Sequence, residues 1–216
     1  HVMINGEALD LNTCLSVSKY RRELNMKEGW YQRSFTAVLP NAIKISVKAT
    51  RFLSLDVNEV GAIKYEIKAI ESDVEIIFEP YLDSGITNED SNWDDKFWNT
   101  TAITSDKDQA FIEAHTMKTN FATCTFMQSQ LFLNDKQILQ EPKVSKTEFK
   151  VKHAYTQKLK KGETAALHKF GGYTVDRNHK PSDLIIAAKK VLKKASELHF
   201  EGLLEKQKRL GPIFGR

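Results

Sequence analysis

Apolar and polar residues alternate with period two along most of this chain, as far as about Val175. Ile43, Ile45, Val47 and Ala49 alternate with Lys44, Ser46 and Lys48, and Ile63, Tyr65, Ile67 and Ala69 alternate with Lys64, Glu66 and Lys68. Successive side chains of a strand point to opposite faces, so each run predicts a strand with one buried and one wet face. Val74, Ile76 and Phe78 with Leu82 predict another, and residues 121–133, 146–155 and 163–173 continue the grammar. Turn formers separate them at residues 25–29, Pro40-Asn41, Glu71-Ser72-Asp73, Asn134-Asp135 and residues 160–162. Closely joined strands pair as antiparallel hairpins, and sheets with one apolar face bury it on another sheet. The expected fold is mainly all-β, a large two-sheet antiparallel β-sandwich.

The period changes after Asn178. Pro181 suits the first turn of a helix and Ser182-Asp183 its cap. Leu184, Ala188, Val191, Leu192, Ala195 and Leu198 recur at helical spacing, with Lys189, Lys190, Lys193 and Lys194 off that stripe. Leu203-Leu204 and Leu210 either continue this helix or form a second one after Gly202. The chain divides at residues 1–178 for the sandwich, 179–210 for a helical linker, and 211–216 for a tail that continues no earlier pattern and reads as a truncation or cloning remnant.

Composition narrows the function classes. The net charge of +4 hides an asymmetry, because residues 143–216 hold 18 Lys/Arg against 7 Asp/Glu, leaving 14 against 21 for residues 1–142. A basic arm can meet nucleic acid, but no aromatics interleave with the helix lysines and no binding module is present, so a solvated face is the reading and no nucleic acid is expected. Two cysteines, Cys14 and Cys124, make no disulfide framework. No run approaches the roughly 20 apolar residues of a membrane helix and no export signal precedes the strands, so the expectation is a soluble, cytoplasmic protein. The six histidines lack metal-ligand spacing, and no P-loop, G-x-S-x-G or G-x-G-x-x-G occurs, so neither metal nor cofactor is expected. Gly171-Gly172 reads as a bulge or a strand end.

Residues 83–98 carry the densest candidate chemistry. Asn88, Glu89, Asp90, Asn92, Trp93, Asp94 and Asp95 form a run too polar for a core strand. Trp93, Phe97 and Trp98 suit stacking on sugar rings while the carboxylates bind hydroxyls; the competing reading is a solvated loop whose aromatics anchor it to the sandwich. Tyr81, Asp83, Asn88, Glu89, Asp90, Trp93 and Trp98 are therefore the carbohydrate or interface candidates. No carboxylate pair here has the look of a catalytic one: Asp94 and Asp95 are adjacent, and Glu75 and Glu79 lie on what reads as a solvent face.

Three ordered blocks carry a family resemblance. They are Arg21-Arg22-Glu23-Leu24-Asn25-Met26-Lys27-Glu28-Gly29, then Arg51-Phe52-Leu53-Ser54-Leu55 running on to Gly61-Ala62-Ile63-Lys64-Tyr65, then Tyr81-Leu82-Asp83 with Asn88-Glu89-Asp90 and Lys96-Phe97-Trp98. In that order they resemble the N-terminal β-sandwich domain of glycoside hydrolase family 65, the maltose, trehalose and kojibiose phosphorylases. The resemblance implies a galactose mutarotase-like super-sandwich followed by helices that lead to a catalytic (α/α) toroid. It implies a non-catalytic scaffold and domain or dimer interface within an enzyme that cleaves an α-glucosidic disaccharide by inverting phosphorolysis or hydrolysis. Inorganic phosphate is then the co-substrate of the parent enzyme, the toroid of the same chain its partner, a homodimer its assembly, and this part alone inactive. Packed between sandwich and toroid, the helix would leave Leu184, Ile185, Val191 and Leu192 partly exposed without the toroid. The alternative from the residues is an autonomous carbohydrate-binding sandwich built on Trp93 and Trp98.

Overall fold

The computed structural model describes residues 1–87 and 96–214. In chain order its strands are β1 (Val2–Ile4), β2 (Glu7–Ala8), β3 (Ser16–Asn25), β4 (Trp30–Val38), β5 (Lys44–Leu53), β6 (Val60–Ala69), β7 (Val74–Phe78), β8 (Tyr81–Asp83), β9 (Trp98–Asp106), β10 (Gln109–Thr116), β11 (Ala122–Leu133), β12 (Lys136–Ile138), β13 (Lys143–Lys146), β14 (Lys150–Leu159) and β15 (Thr164–Val175). A 3-10 turn, Pro181–Asp183, leads into the helix α1 (Leu184–Phe214).

Two antiparallel sheets stack as the alternation predicts. The short sheet runs β13-β14-β7-β1-β2 with β8 beside β14, and the wide sheet runs β3-β4-β5-β6-β15-β11-β10-β9 with β12 beside β11. Burial changes phase along the central strands of the wide sheet. On β5 the buried residues are Ile45 and Val47 and then Thr50 and Phe52; on β6 they are Val60 and Ala62 and then Ile67 and Ala69. The β5–β6 register is continuous through this switch, so the strands have not turned over. Their covers have. At one end Ile45, Val47, Ile67, Leu131 and Leu167 are sealed by Ile76, Phe78, Tyr155 and Leu159 of the short sheet. At the other end Phe52, Ala62, Phe126 and Phe170, on the opposite face, are sealed by Leu184, Ala188, Leu192 and Ala195 of α1. The result is three layers, with the outer two offset from one another.

Several local expectations give way to this packing. Leu184 and Leu192 are buried against the chain's own sheet and not partly exposed, whereas Ile185 and Val191 keep the partial exposure expected of them. Neither Ser182 nor Asp183 caps α1 by a side-chain bond; Ser182 Oγ donates to Asp183 Oδ1 instead. The helix breaks at His199, where φ is 55°, and not after Gly202. The break turns Phe200 onto Phe52, with ring centroids 5.4 Å apart, so aromatic packing outweighs the local preference for a glycine break. The helix then runs on through Gly211, which is buried. A Cβ there would lie 2.5 Å from the Lys27 carbonyl oxygen, and only a glycine fits so close to another backbone.

The run from Val74 to Leu82 is two strands, because Glu79 and Pro80 interrupt it and β7 and β8 pair with different stretches of β14. Residues 146–155 likewise belong to two strands joined by a turn in which the Thr147 N–H donates to the Lys150 carbonyl at 2.8 Å. Gly171 and Gly172 sit inside β15 in continuous register, not at a bulge, and Gly172 pairs with Val60, the first residue of β6. Any Cβ on Gly172 would collide with the Glu59 carbonyl oxygen, which explains the glycine.

Candidate functional site

Beyond the edge of the short sheet the inner face of the wide sheet stays open, and a hollow of about 710 Å³ lies there. Strand pairing sets its floor. Leu24, Tyr31, Arg51, Ile63 and Lys169 are consecutive cross-strand partners from β3 to β15, so they share one face in one row. The next row is Leu53, Gly61, Gly171 and Met127. Two glycines side by side remove two side chains from the middle of a sheet, and that subtraction makes the hollow. Leu53 leans across the first, so that a Cβ on Gly61 would lie 3.0 Å from Leu53 Cδ2. The Lys169 stem crosses the second, with Cε 3.8 Å from where a Gly171 Cβ would be. Leu55, Leu82 and Tyr173 complete the wall.

The lining is apolar and wet. Leu53 is 79% exposed, Leu24 65% and Tyr173 61%, values typical of charged surface residues and not of large apolar ones grouped together. Ile63 belongs to the same stripe as the sealed Ile67, yet is 37% exposed because the short sheet ends before reaching it. The charged groups of the hollow are cationic. The Arg51 guanidinium lies 4.6 Å from the centre of the Tyr31 ring. Lys169 Nζ donates to the Tyr81 carbonyl oxygen at 3.0 Å, and burial pushes its ammonium down to about 8. No Asp or Glu lines the hollow among the described residues.

The last turns of α1 clasp the rim. Gln207 is buried there, and its Oε1 accepts the Leu55 N–H at 2.9 Å. The turn of the first sequence block, residues 26–29, is fixed by its own side chains: Asn25 Oδ1 accepts the Glu28 N–H at 2.9 Å, and Glu28 Oε2 accepts from Trp30 Nε1 at 2.6 Å. Gly29, at φ 72° in the left-handed region that favours glycine, then abuts the end of the Gln207 side chain. Hence the first two blocks serve two purposes, with their backbone gripping α1 while Leu24, Arg51 and Leu53 present side chains to the hollow.

The predicted site residues divide. Asn88, Glu89, Asp90 and Trp93 lie outside the described residues. Tyr81 contributes its carbonyl to Lys169, while its ring lies 4.9 Å from Lys150 Nζ. Asp83 pairs with Lys150 at 2.8 Å and accepts the Gly85 N–H at 2.9 Å. Burial raises this carboxyl, but those two hydrogen bonds outweigh it and hold the group below its ordinary value, which makes Asp83 a clasp between β8 and β14. Trp98, at the start of β9, packs edge-on to Phe121 with centroids 6.4 Å apart and stays 37% exposed. Glu79 is not on a solvent face: it is half-buried and pairs with Lys152 at 2.5 Å. The importance of Lys169, Gly61 and Gly171 was not anticipated from sequence; the visible sign was an apolar stripe on β6 that runs past Ile67 to Ile63.

Residues 1–210 match the family described as "Glycosyl hydrolase family 65, N-terminal domain". Maltose phosphorylase of Bacillus subtilis (strain 168) is 31% identical over 198 residues, covering 92% of this chain and 25% of that protein. Alpha,alpha-trehalose phosphorylase of Thermoanaerobacter brockii is 26% identical over 212 residues, covering 94% of this chain and 27% of that protein. A solved structure titled "Putative kojibiose phosphorylase from human microbiome" superposes with a TM-score of 0.85 at 25% identity, covering 99% of this chain and 27% of its own. The chain thus spans about a quarter of the length of these relatives.

Proposed function

This chain belongs to glycosyl hydrolase family 65 as its N-terminal domain, and from that premise we propose that it is the non-catalytic scaffold of a longer disaccharide phosphorylase. In the longer enzyme a carboxylic acid protonates the glycosidic oxygen as the C–O bond breaks, and a phosphate oxygen attacks the anomeric carbon with inversion. Phosphate is already anionic, so it needs no second carboxylate as base, unlike the water of an inverting hydrolase. The acid and the phosphate-binding groups belong to the catalytic toroid on this reading, and the sandwich supplies the surface on which that toroid, or a second subunit of a homodimer, rests. The observation that carries the proposal is the open hollow where the resemblance-bearing blocks around Leu24, Leu53 and Leu82 converge. Assay of the 216-residue chain with maltose, trehalose and kojibiose in phosphate buffer tests it. The expected outcome is no glucose 1-phosphate; turnover by this chain alone would overturn the scaffold reading.

The half-exposed indole of Trp98 beside the exposed Phe97 favours one second reading, an autonomous carbohydrate-binding module. Titration with maltose and glucose, followed by tryptophan fluorescence, separates the two. Millimolar or tighter binding that is lost in Trp98→Ala supports the module.

A further inference from the structure

The hollow holds an ammonium that nothing on this chain neutralises among the described residues. Lys169 Nζ has the neutral Tyr81 carbonyl as its hydrogen-bond partner, its stem lies over Gly171, and the titratable groups that feel its charge, the His1 amino terminus and His153, carry no negative charge. An apolar lid laid over such a group would strip away its remaining water and leave the charge unanswered, which is costly unless the lid brings an anion. The lid must therefore be apolar at its centre and acidic at one point.

Three observations say which molecule supplies it. The curated relatives are about four times as long as this chain, so a large mass of polypeptide follows the equivalent of this domain in them. The last turns of α1 are fastened to the rim by Gln207 and Gly211, so chain continuing beyond them leaves from the edge of the hollow. A second copy of the domain seated face to face is a poor lid. It would bring Arg51 and Lys169 of both copies together over a lining with no Asp or Glu among the described residues.

We propose that the remainder of the longer polypeptide seats on this hollow and sets an aspartate or glutamate carboxylate against the Lys169 ammonium. The inference rests on the reading of this chain as the N-terminal part of a longer phosphorylase, and adds to it the place of contact and its chemistry. The carboxylate gives the seat its register, because apolar contacts alone would let the two surfaces slide.

The test compares the 216-residue chain with the longer protein. Amine acylation at pH 8 reports Lys169 and hydroxyl-radical oxidation reports Tyr173, both read by mass spectrometry. Both are expected to fall at least tenfold in the longer protein. Lys169→Met is then expected to restore most of the Tyr173 oxidation there, while Lys169→Arg leaves it suppressed. Equal Tyr173 oxidation in the two proteins would overturn the seat, and if the longer protein still turns over its disaccharide, the phosphorylase reading survives that failure. Suppressed Tyr173 oxidation that Lys169→Met does not relieve would overturn the carboxylate and leave an apolar seat.

Discussion

One face of the wide sheet is built twice, once closed and once open. At the closed end Ile45, Val47 and Ile67 are wholly buried under Ile76, Phe78 and Tyr155. At the open end Leu53 and Ile63, on the same strands and the same face, stand in water. The strand chemistry is the same at both ends; what differs is the reach of the second sheet. Apolar alternation thus announces a surface to be covered without saying what covers it. At the closed end the cover is the short sheet, whereas at the open end the short sheet supplies none.

The largest test of this contrast is Phe78→Ala, which should cost about 3–5 kcal/mol in the unfolding free energy because the closed layer cannot collapse around the void. A loss under about 1 kcal/mol in denaturant titration would mean the closed end is not the core. Acid comes next. Burial holds His153 and His168, one in each sealed layer, down at about 4, against about 6.5 when unfolded. The unfolded chain binds more protons between those values. Stability is accordingly whole above pH 6.5 and is lost as pH falls toward 4, at up to about 1.4 kcal/mol per unit for each ring. Thermal midpoints measured from pH 7 to 4.5 should fall steeply, and a flat profile would contradict the sealed environment of both rings.

The open end titrates in the alkaline range and with the opposite moral. Lys169 charges at a penalty in the folded chain, a penalty present below pH 8 and gone as pH rises to 10.5. Lys169→Met should therefore stabilise the isolated domain by about 1–2 kcal/mol at pH 7, an advantage that shrinks on raising the pH. Destabilisation in equilibrium unfolding would show that the hydrogen bond to the Tyr81 carbonyl outweighs the cost of burying the charge. Smallest of all is Leu53→Ser, expected to move stability by less than about 0.5 kcal/mol, since that side chain is already solvated.

The closed end was far more legible than the open one. Its turns follow local residue chemistry: Pro40-Asn41 and Asn134-Asp135 bound strands in the structure as their sequences require. The stripes of β5 and β6 were visible for the same reason. The edge strand β3 was not, because its residues are almost all exposed and carry no alternation. The hollow could not be read, since it depends on Gly61 meeting Gly171 across two strands far apart in the chain. Lys169 looks like any lysine of a wet face until the fold places Tyr81 beside it. The sequence left a continuous helix or a second helix after Gly202 both open, and the break at His199 has no local sign because it accompanies the long-range packing of Phe200 on Phe52.

The order of strands in the wide sheet sets a timetable for synthesis. β3 to β6 form one sequential meander and β9 to β11 another, and β15, the last strand made, joins them by pairing with β6 on one side and β11 on the other. Both half-sheets therefore emerge from the ribosome with a bare edge, and neither can lose it until residues 164–175 have been translated. That last strand is also the one that carries Lys169 and Gly171. The floor of the hollow is therefore completed only with the last strand to be made.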